Sequence, residues 1–230
     1  MRRLAAVVAV AAMAACSGLD EGEAGVVGIE VRVPGPDSLE VGESVQLEVI
    51  PLDKNGDSVA TPVTSVSLDP AATIDPISGV LTGVAPGTAR VQATVGALGS
   101  SVLSFTVVQR PDTLLIVGDS ILSISRDSTS LPGFQTQVRN FTTNDPVAGQ
   151  RVIFTLVSPD PLTAPPSLVF TGQEALADTV ATGADGIATA SLRVLGGTTA
   201  PDSAIVVISS PRVRAGPVAG SGQRFILRFQ

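Results

Sequence analysis

Apolar and polar residues alternate with a period of two along much of the chain after residue 26. In the first half, residues 29–33, 45–49 and 89–95 place Val, Leu, Ile or Ala between Glu, Arg, Gln or Thr. Because successive side chains of a β-strand point to opposite faces of its sheet, this alternation predicts strands with one buried and one solvent-facing side. Turn sequences such as Asn55-Gly56 and Pro86-Gly87 separate the stretches. Short strands at this spacing are typical of a β-sandwich or a β-barrel.

The second half of the chain repeats the pattern at residues 152–156, 190–194 and 225–229, and residues 204–208 form a continuous apolar run that predicts another strand. Between the halves, residues 107–112 predict a short linker, because Pro111 has no N–H to donate to a neighbouring strand. We therefore predict two tandem modules, at residues 26–108 and 111–230.

Residues 158–178 interrupt the second module with a proline-rich sequence. They include Pro159, Pro161, Pro165 and Pro166, which predict an exposed loop in a stiff, polyproline-like conformation. Long loops on a rigid sandwich often carry binding sites, and the alternative is an insertion that the fold tolerates.

The first residues of the chain differ from the rest. Arg2 and Arg3 precede an apolar run at residues 4–13, which is about half of the roughly 20 residues that a bilayer-spanning helix needs. Two small residues, Ala14 and Ala15, follow the run. A charged start, a short apolar run and small residues are typical of an export signal, so we predict a signal helix within residues 1–15 that is removed after export.

Cys16 follows directly and is the one cysteine in the sequence. The segment at residues 13–16 (Met-Ala-Ala-Cys) resembles the lipobox of bacterial lipoproteins, although Met13 stands where that family usually has Leu. The resemblance implies that the thiol of Cys16 carries a diacylglycerol lipid and that Cys16 becomes the first residue of the mature chain. The alternative is an ordinary secretory signal with an incidental cysteine.

The residues after Cys16 are small and acidic, and they show no periodicity. They predict a flexible tether at residues 16–25 that reaches at most about 30 Å. Ser17, rather than Asp, follows the cysteine, and by resemblance to bacterial lipoproteins this favours the outer membrane.

Both modules resemble known bacterial families. Residues 39–47, 79–84 and 85–89 are similar, in order and spacing, to bacterial immunoglobulin-like (Ig-like) group 2 domains, with the position of that family's core Trp falling near Val66. Residues 144–154 and 182–192 more loosely resemble Ig-like group 1 domains of the invasin and intimin type. The resemblance implies two Ig-like β-sandwiches, and a role in adhesion or spacing at the cell surface.

The composition argues against several kinds of chemistry. The sequence has no His and one Cys, so it cannot assemble a His-based general base, a Cys–His dyad or a zinc–thiolate site. It has no Trp or Tyr to stack on sugar rings. The formal net charge of −7 disfavours binding to nucleic acid, and Arg212, Arg214, Arg224 and Arg228 alternate with apolar residues as exposed strand positions do. We predict no enzyme activity and no cofactor.

Two acidic groups in the sequence are candidate metal sites. Residues 53–57 are rich in oxygen donors, but Ser58 and Thr64 stand where a helix–loop–helix calcium loop needs Gly and an acid, so we predict an Asn-Gly turn. Asp112, Asp119 and Asp127 leave a Ca²⁺ site between the modules open, although nothing in their spacing supports it. We predict no metal site.

Together these features predict a lipid-anchored protein of the cell envelope, at the outer membrane or the cell surface. The predicted role is adhesion or structural spacing, with a protein or glycan ligand at the surface loops. Two alternatives stay open: an accessory protein that binds carbohydrate or cell wall, and a subunit of an envelope complex.

Overall fold

The computed structural model describes residues 25–128, 131–159 and 166–230. Within these ranges the regular elements are twenty β-strands, and no α-helix occurs. The prediction of an all-β fold is confirmed. The predicted signal helix and Cys16 lie outside the described residues.

The first module is a sandwich of two layers. Its strands are β1 (Gly28–Arg32), β2 (Ser38–Glu40), β3 (Ser44–Gln46), β4 (Glu48–Leu52), β5 (Thr64–Ser67), β6 (Ala72–Ile74), β7 (Val80–Gly83), β8 (Gly87–Val95), β9 (Leu98–Gly99) and β10 (Leu103–Val108). One layer has the order β2-β10-β8-β5, with β9 beside β8. The other layer contains the pair β1-β4 and the three strands β3-β7-β6. These two parts belong to one layer because only Leu47 separates β3 from β4 along the chain.

The core of the first module lies between these layers, and it is built from the apolar positions that the alternation predicts. Along β8, Ala89, Val91, Ala93 and Val95 are all buried. Phe105 is the largest side chain of this core, which otherwise consists mainly of Leu, Val and Ala. The core is therefore filled by small and branched side chains.

The predicted core position near Val66 is wrong. Val66 is 42% exposed, and Ser65 is the buried residue of β5 at 5%. Cross-strand partners point to the same face of a sheet, and Ser65 pairs with buried Ala93 whereas Val66 pairs with Gln92. The register of β5 on β8 thus directs a small polar side chain inward.

The second module repeats this architecture. Its strands are β11 (Thr113–Val117), β12 (Ile121–Ile124), β13 (Phe134–Arg139), β14 (Arg151–Ser158), β15 (Leu168–Phe170), β16 (Ala177–Ala181), β17 (Ile187–Ala190), β18 (Leu192–Val194), β19 (Ser203–Ser209) and β20 (Arg224–Phe229). One layer has the order β12-β20-β19-β14-β16, and the other contains β11-β13-β17 and the pair β15-β18. In each module an early strand lies parallel to the last one, β2 on β10 and β12 on β20, while the other pairings are antiparallel.

Phenylalanine dominates the core of the second module. Phe134, Phe154, Phe170, Phe225 and Phe229 are buried, and the ring centroids of Phe134 and Phe225 lie 5.1 Å apart. These side chains come from both layers, since β13 belongs to one and β20 to the other. The two modules have separate hydrophobic cores, one drawn from residues 31–107 and the other from residues 114–229.

The predicted exposed loop at residues 158–178 is wrong for part of its length. Leu168–Phe170 forms the buried strand β15, which pairs with β18. Three consecutive apolar residues can form a strand that is buried on both faces, and the surrounding prolines hide this short signal. Residues 160–165 lie outside the described part of the chain.

Candidate functional site

The oxygen-rich segment at residues 53–57 is a turn, as predicted. Asp53 Oδ1 accepts hydrogen bonds from the backbone N–H groups of Asn55 at 2.8 Å and Asp57 at 2.9 Å. These bonds, first of all the one from Asp57, lower the pKa of the Asp53 carboxyl. Gly56 has a φ of +86°, which glycine adopts without strain. The Asp53 side chain therefore stabilises the turn by accepting hydrogen bonds within it.

The structure does not bring Asp112, Asp119 and Asp127 together as a metal site. Asp112 Oδ1 accepts a bond from Arg110 Nε at 2.7 Å, and its Oδ2 accepts one from the Phe141 N–H at 3.0 Å. Its carboxylate therefore holds the linker against the second module. In the described part of the chain, no cluster of three or more His, Cys, Asp or Glu side chains is suited to a metal ion.

The prediction for the four arginines holds for two of them. Arg224 and Arg228 are exposed on β20. Arg212 and Arg214 are not in a strand but in the connection between β19 and β20, and both contact the first module. For Arg212 and Arg214 the predicted exposed strand position is wrong, because the residues that they contact lie more than 170 positions away in sequence.

Glu40, at the end of β2, is the centre of this contact. Its side chain is 1% exposed and that of Arg212 is 19% exposed. Arg212 Nε donates to Glu40 Oε2 at 2.8 Å, Arg212 Nη2 donates to the same oxygen, and the Val213 N–H donates to Oε1 at 2.9 Å. Both carboxylate oxygens thus have partners from the second module. The bond to Glu40 raises the pKa of Arg212, and the charges of Asp112 and Glu43 add to this effect.

Arg214 binds backbone oxygens next to this ion pair. Its guanidinium donates from Nε to the Ser38 carbonyl at 3.2 Å, from Nη1 to the Pro34 carbonyl and from Nη2 to the Pro36 carbonyl. Gly35, between the two prolines, has a φ of +87°, and a Cβ there would lie 2.9 Å from Arg214 Nη1. The sequence at residues 34–36 therefore fits a loop that receives an arginine.

A cleft of about 420 Å³ lies beside these contacts. The first module contributes Ser38, Val108 and Gln109, and the second contributes Gly149, Gln150 and Pro211, among others. Gln150 Nε2 donates to Ser210 Oγ at 2.8 Å and to the Pro211 carbonyl at 2.6 Å, so its amide is engaged within the second module. No acidic side chain is among the described lining residues.

Phe141 is a large apolar side chain near the junction that is left in solvent, at 80% exposure. Its backbone N–H is bound by Asp112, and the following Thr142 and Thr143 N–H groups donate to Asn140 Oδ1 at 2.9 and 3.1 Å. The loop that carries the ring is thereby held in a defined conformation.

Comparison with known proteins gives likenesses in structure. No family model and no curated relative matches the chain. The adhesin InvE of Yersinia pseudotuberculosis is 15% identical, with a TM-score of 0.43, over 91% of this chain and 61% of that one. Domains 4 and 5 of the surface-layer protein SbsC are 15% identical, with a TM-score of 0.35, over 88% and 98%. The D00-D0 domain of intimin is 14% identical, with a TM-score of 0.30, over 86% and 98%.

All three likenesses are at 14–15% sequence identity and concern structure alone. The chain spans 61% of the length of the adhesin that it resembles, so it does not correspond to that whole protein. As to membranes, the described residues include no helix with the length and apolar composition needed to cross a bilayer.

Proposed function

We propose that this protein is a lipid-anchored module pair of the bacterial cell envelope, in which the first module is a spacer and the second module is displayed for adhesion or assembly. The observation that carries the proposal is the path of β1. The described chain enters the first module at Gly25, and β1 runs from Gly28, opposite Leu52, to Arg32. The loop at residues 34–36, which Arg214 contacts, follows directly.

The entry of the chain and the contact with the second module are thus at opposite ends of β1. A strand of this length extends over roughly 15 Å, at about 3.3 Å per residue. A lipid at Cys16 would hold the entry end close to the membrane, because the tether of residues 16–25 is short. The second module would then project away from the lipid, with the first module between them.

The chemistry of the described surface supports a binding or structural role. The acids with lowered pKa values are committed to turns or to arginine: Asp53 and Asp75 accept backbone N–H bonds, and Asp69 accepts bonds from Arg90. Phe141 offers an exposed ring on an ordered loop, and aromatic side chains dominate the energetics of protein interfaces. We place the adhesive contact on the second module, with Phe141 part of it.

The test is a fractionation of bacteria that express the full chain. We expect the mature protein in the membrane fraction, with mass spectrometry showing a lipid on Cys16 as its first residue. Cys16→Ser should release the protein from membranes, whereas the control Ser17→Ala should not. Membrane retention of Cys16→Ser, or an unmodified Cys16 in the mature protein, would contradict the anchor.

The display is tested by protease treatment of intact cells and of cells with a permeabilised outer membrane. We expect fragments of the second module to be released while the lipid-linked first module stays with the membrane. If adhesion is the role, intact cells should bind a surface that they do not bind without the protein, and Phe141→Ala should weaken this binding. Display without any gain in binding would leave the spacer role and reject adhesion.

A further inference from the structure

We infer that Arg212 and Arg214 form an intermodule clamp that fixes the orientation of the second module on the first, so that the two sandwiches move as one rigid body. Modules joined by a short linker ordinarily move relative to one another unless their interface is extensive. The inference concerns the chain between residues 25 and 230 and does not depend on the lipid anchor. Three features of the junction carry it.

The first feature is where the hydrogen bonds of the clamp residues go. Arg212, Val213 and Arg214 lie in a connection without strand structure, between β19 and β20. Within the described residues, their hydrogen bonds end on the first module: on the Glu40 carboxylate and on the carbonyls of residues 34, 36 and 38. The conformation of this connection therefore depends on its hydrogen bonds to the first module.

The second feature is the charge and burial of the contact. Arg212 lies close enough to Glu40, Glu43 and Asp112 for all three to stabilise its charge. Its bonds to Glu40 are made where both side chains are largely shielded from water, and a charged hydrogen bond of this kind is strong and directional. Two guanidinium N–H groups on one oxygen of Glu40 and the Val213 N–H on the other oxygen hold the carboxylate in one orientation, which a single exposed ion pair would not do.

The third feature is that the covalent linker is fixed as well. Pro111 is buried, the Asp112 N–H donates to the Arg139 carbonyl at 3.0 Å, and Asn140 Nδ2 donates to the Arg110 carbonyl at 3.1 Å. The linker is thus bonded to the second module between β10 and β11. With the linker and the clamp both attached, rotation about either one alone would break the bonds of the other.

The test is a distance measurement by double electron–electron resonance on the full chain. Cys16→Ser removes the native thiol, and Ser104→Cys on β10 and Ser203→Cys on β19 supply exposed positions for spin labels, one in each module. We expect one narrow distance peak. Arg212→Glu should broaden it, because a carboxylate would then face Glu40, Glu43 and Asp112.

Arg224→Glu is the matched control, because it makes the same change of charge on an exposed residue of β20 in the same module. It should leave the peak narrow. Glu40→Gln perturbs the same pair from the other side, with almost no change of shape, and it should also broaden the peak. Circular dichroism checks that each variant keeps its β-structure, which we expect because the apolar side chains of both cores are unchanged.

A broad distribution in the parent chain would overturn the clamp. So would a narrow peak in both Arg212→Glu and Glu40→Gln, since the orientation would then be set elsewhere. Equal broadening by Arg212→Glu and Arg224→Glu would overturn it too, because the effect would follow net charge and not the contact.

Discussion

Thr136 lies in the middle of β13 and its side chain is fully buried, yet its hydroxyl has no hydrogen-bond partner among the described residues. β13 pairs with β11 on one side and β17 on the other, where Thr136 stands opposite Ile116 and Ala188. A hydroxyl buried without a partner costs about 1–3 kcal/mol relative to its hydrated state. Thr136→Val replaces that hydroxyl by a methyl group of similar size and keeps the β-branched shape that suits a strand.

We therefore expect Thr136→Val to raise the free energy of unfolding by about 1–2 kcal/mol. For a cooperative unit the size of the second module, each kcal/mol raises the melting temperature by roughly 4 °C. Chemical denaturation followed by circular dichroism measures the free energy, and calorimetry measures the temperature.

The same substitution at Thr182 should have the opposite sign. Thr182 is also buried, but its Oγ1 donates to the Val147 carbonyl at 2.6 Å and accepts from the Gln150 N–H at 2.9 Å. Thr182→Val leaves two backbone groups without a partner and should cost about 1–3 kcal/mol. Thr189→Val, at an exposed position of β17, is the neutral control. A destabilised Thr136→Val, or two buried variants with the same sign, would refute the reasoning that hydrogen bonding decides these sites.

Three further predictions concern the rest of the chain. Phe134→Ala should destabilise the second module by about 3–5 kcal/mol in denaturant unfolding, because it removes a fully buried ring that packs on Phe225. Phe141→Ala should change stability by no more than about 0.5 kcal/mol, because that ring is mostly in solvent; a large loss would show that the ring is packed in solution. The hydrogen bond from the Arg90 guanidinium lowers the pKa of Asp69 in the folded state. The pair therefore stabilises the fold at pH values above the unfolded pKa of Asp69, which is about 4. This stabilisation is lost as the pH falls through the lower, folded-state pKa of Asp69. Asp69→Asn should therefore make the loss of stability on acidification shallower in unfolding curves recorded at several pH values, and an unchanged slope would contradict the assignment.

The sequence was sufficient to predict strands such as β8, β14 and β20, because one-sided burial leaves a period of two that local inspection can find. Residues 89–95 are the strongest example, with four apolar residues inside and three polar residues between them. The turn at residues 53–57 was equally accessible, because Asp53 and Gly56 act through neighbours in the sequence. The family resemblance failed at β5, where Ser65 rather than Val66 faces the core, since register on β8 outweighs the polarity of individual residues.

The junction could not be predicted for a different reason. Glu40 follows Leu39 in a segment that reads as an ordinary strand and turn, and nothing next to it in sequence requires its carboxylate to be buried. A buried carboxylate is stable when cations and N–H groups satisfy it, and here those groups come from residues 212 and 213. Arg212 could not be predicted either, because it alternates with apolar neighbours just as the exposed Arg224 does. Composition and periodicity describe each module by itself. The contact between the modules depends on charged residues that are distant in sequence, and these can be paired only when the fold of both modules is known.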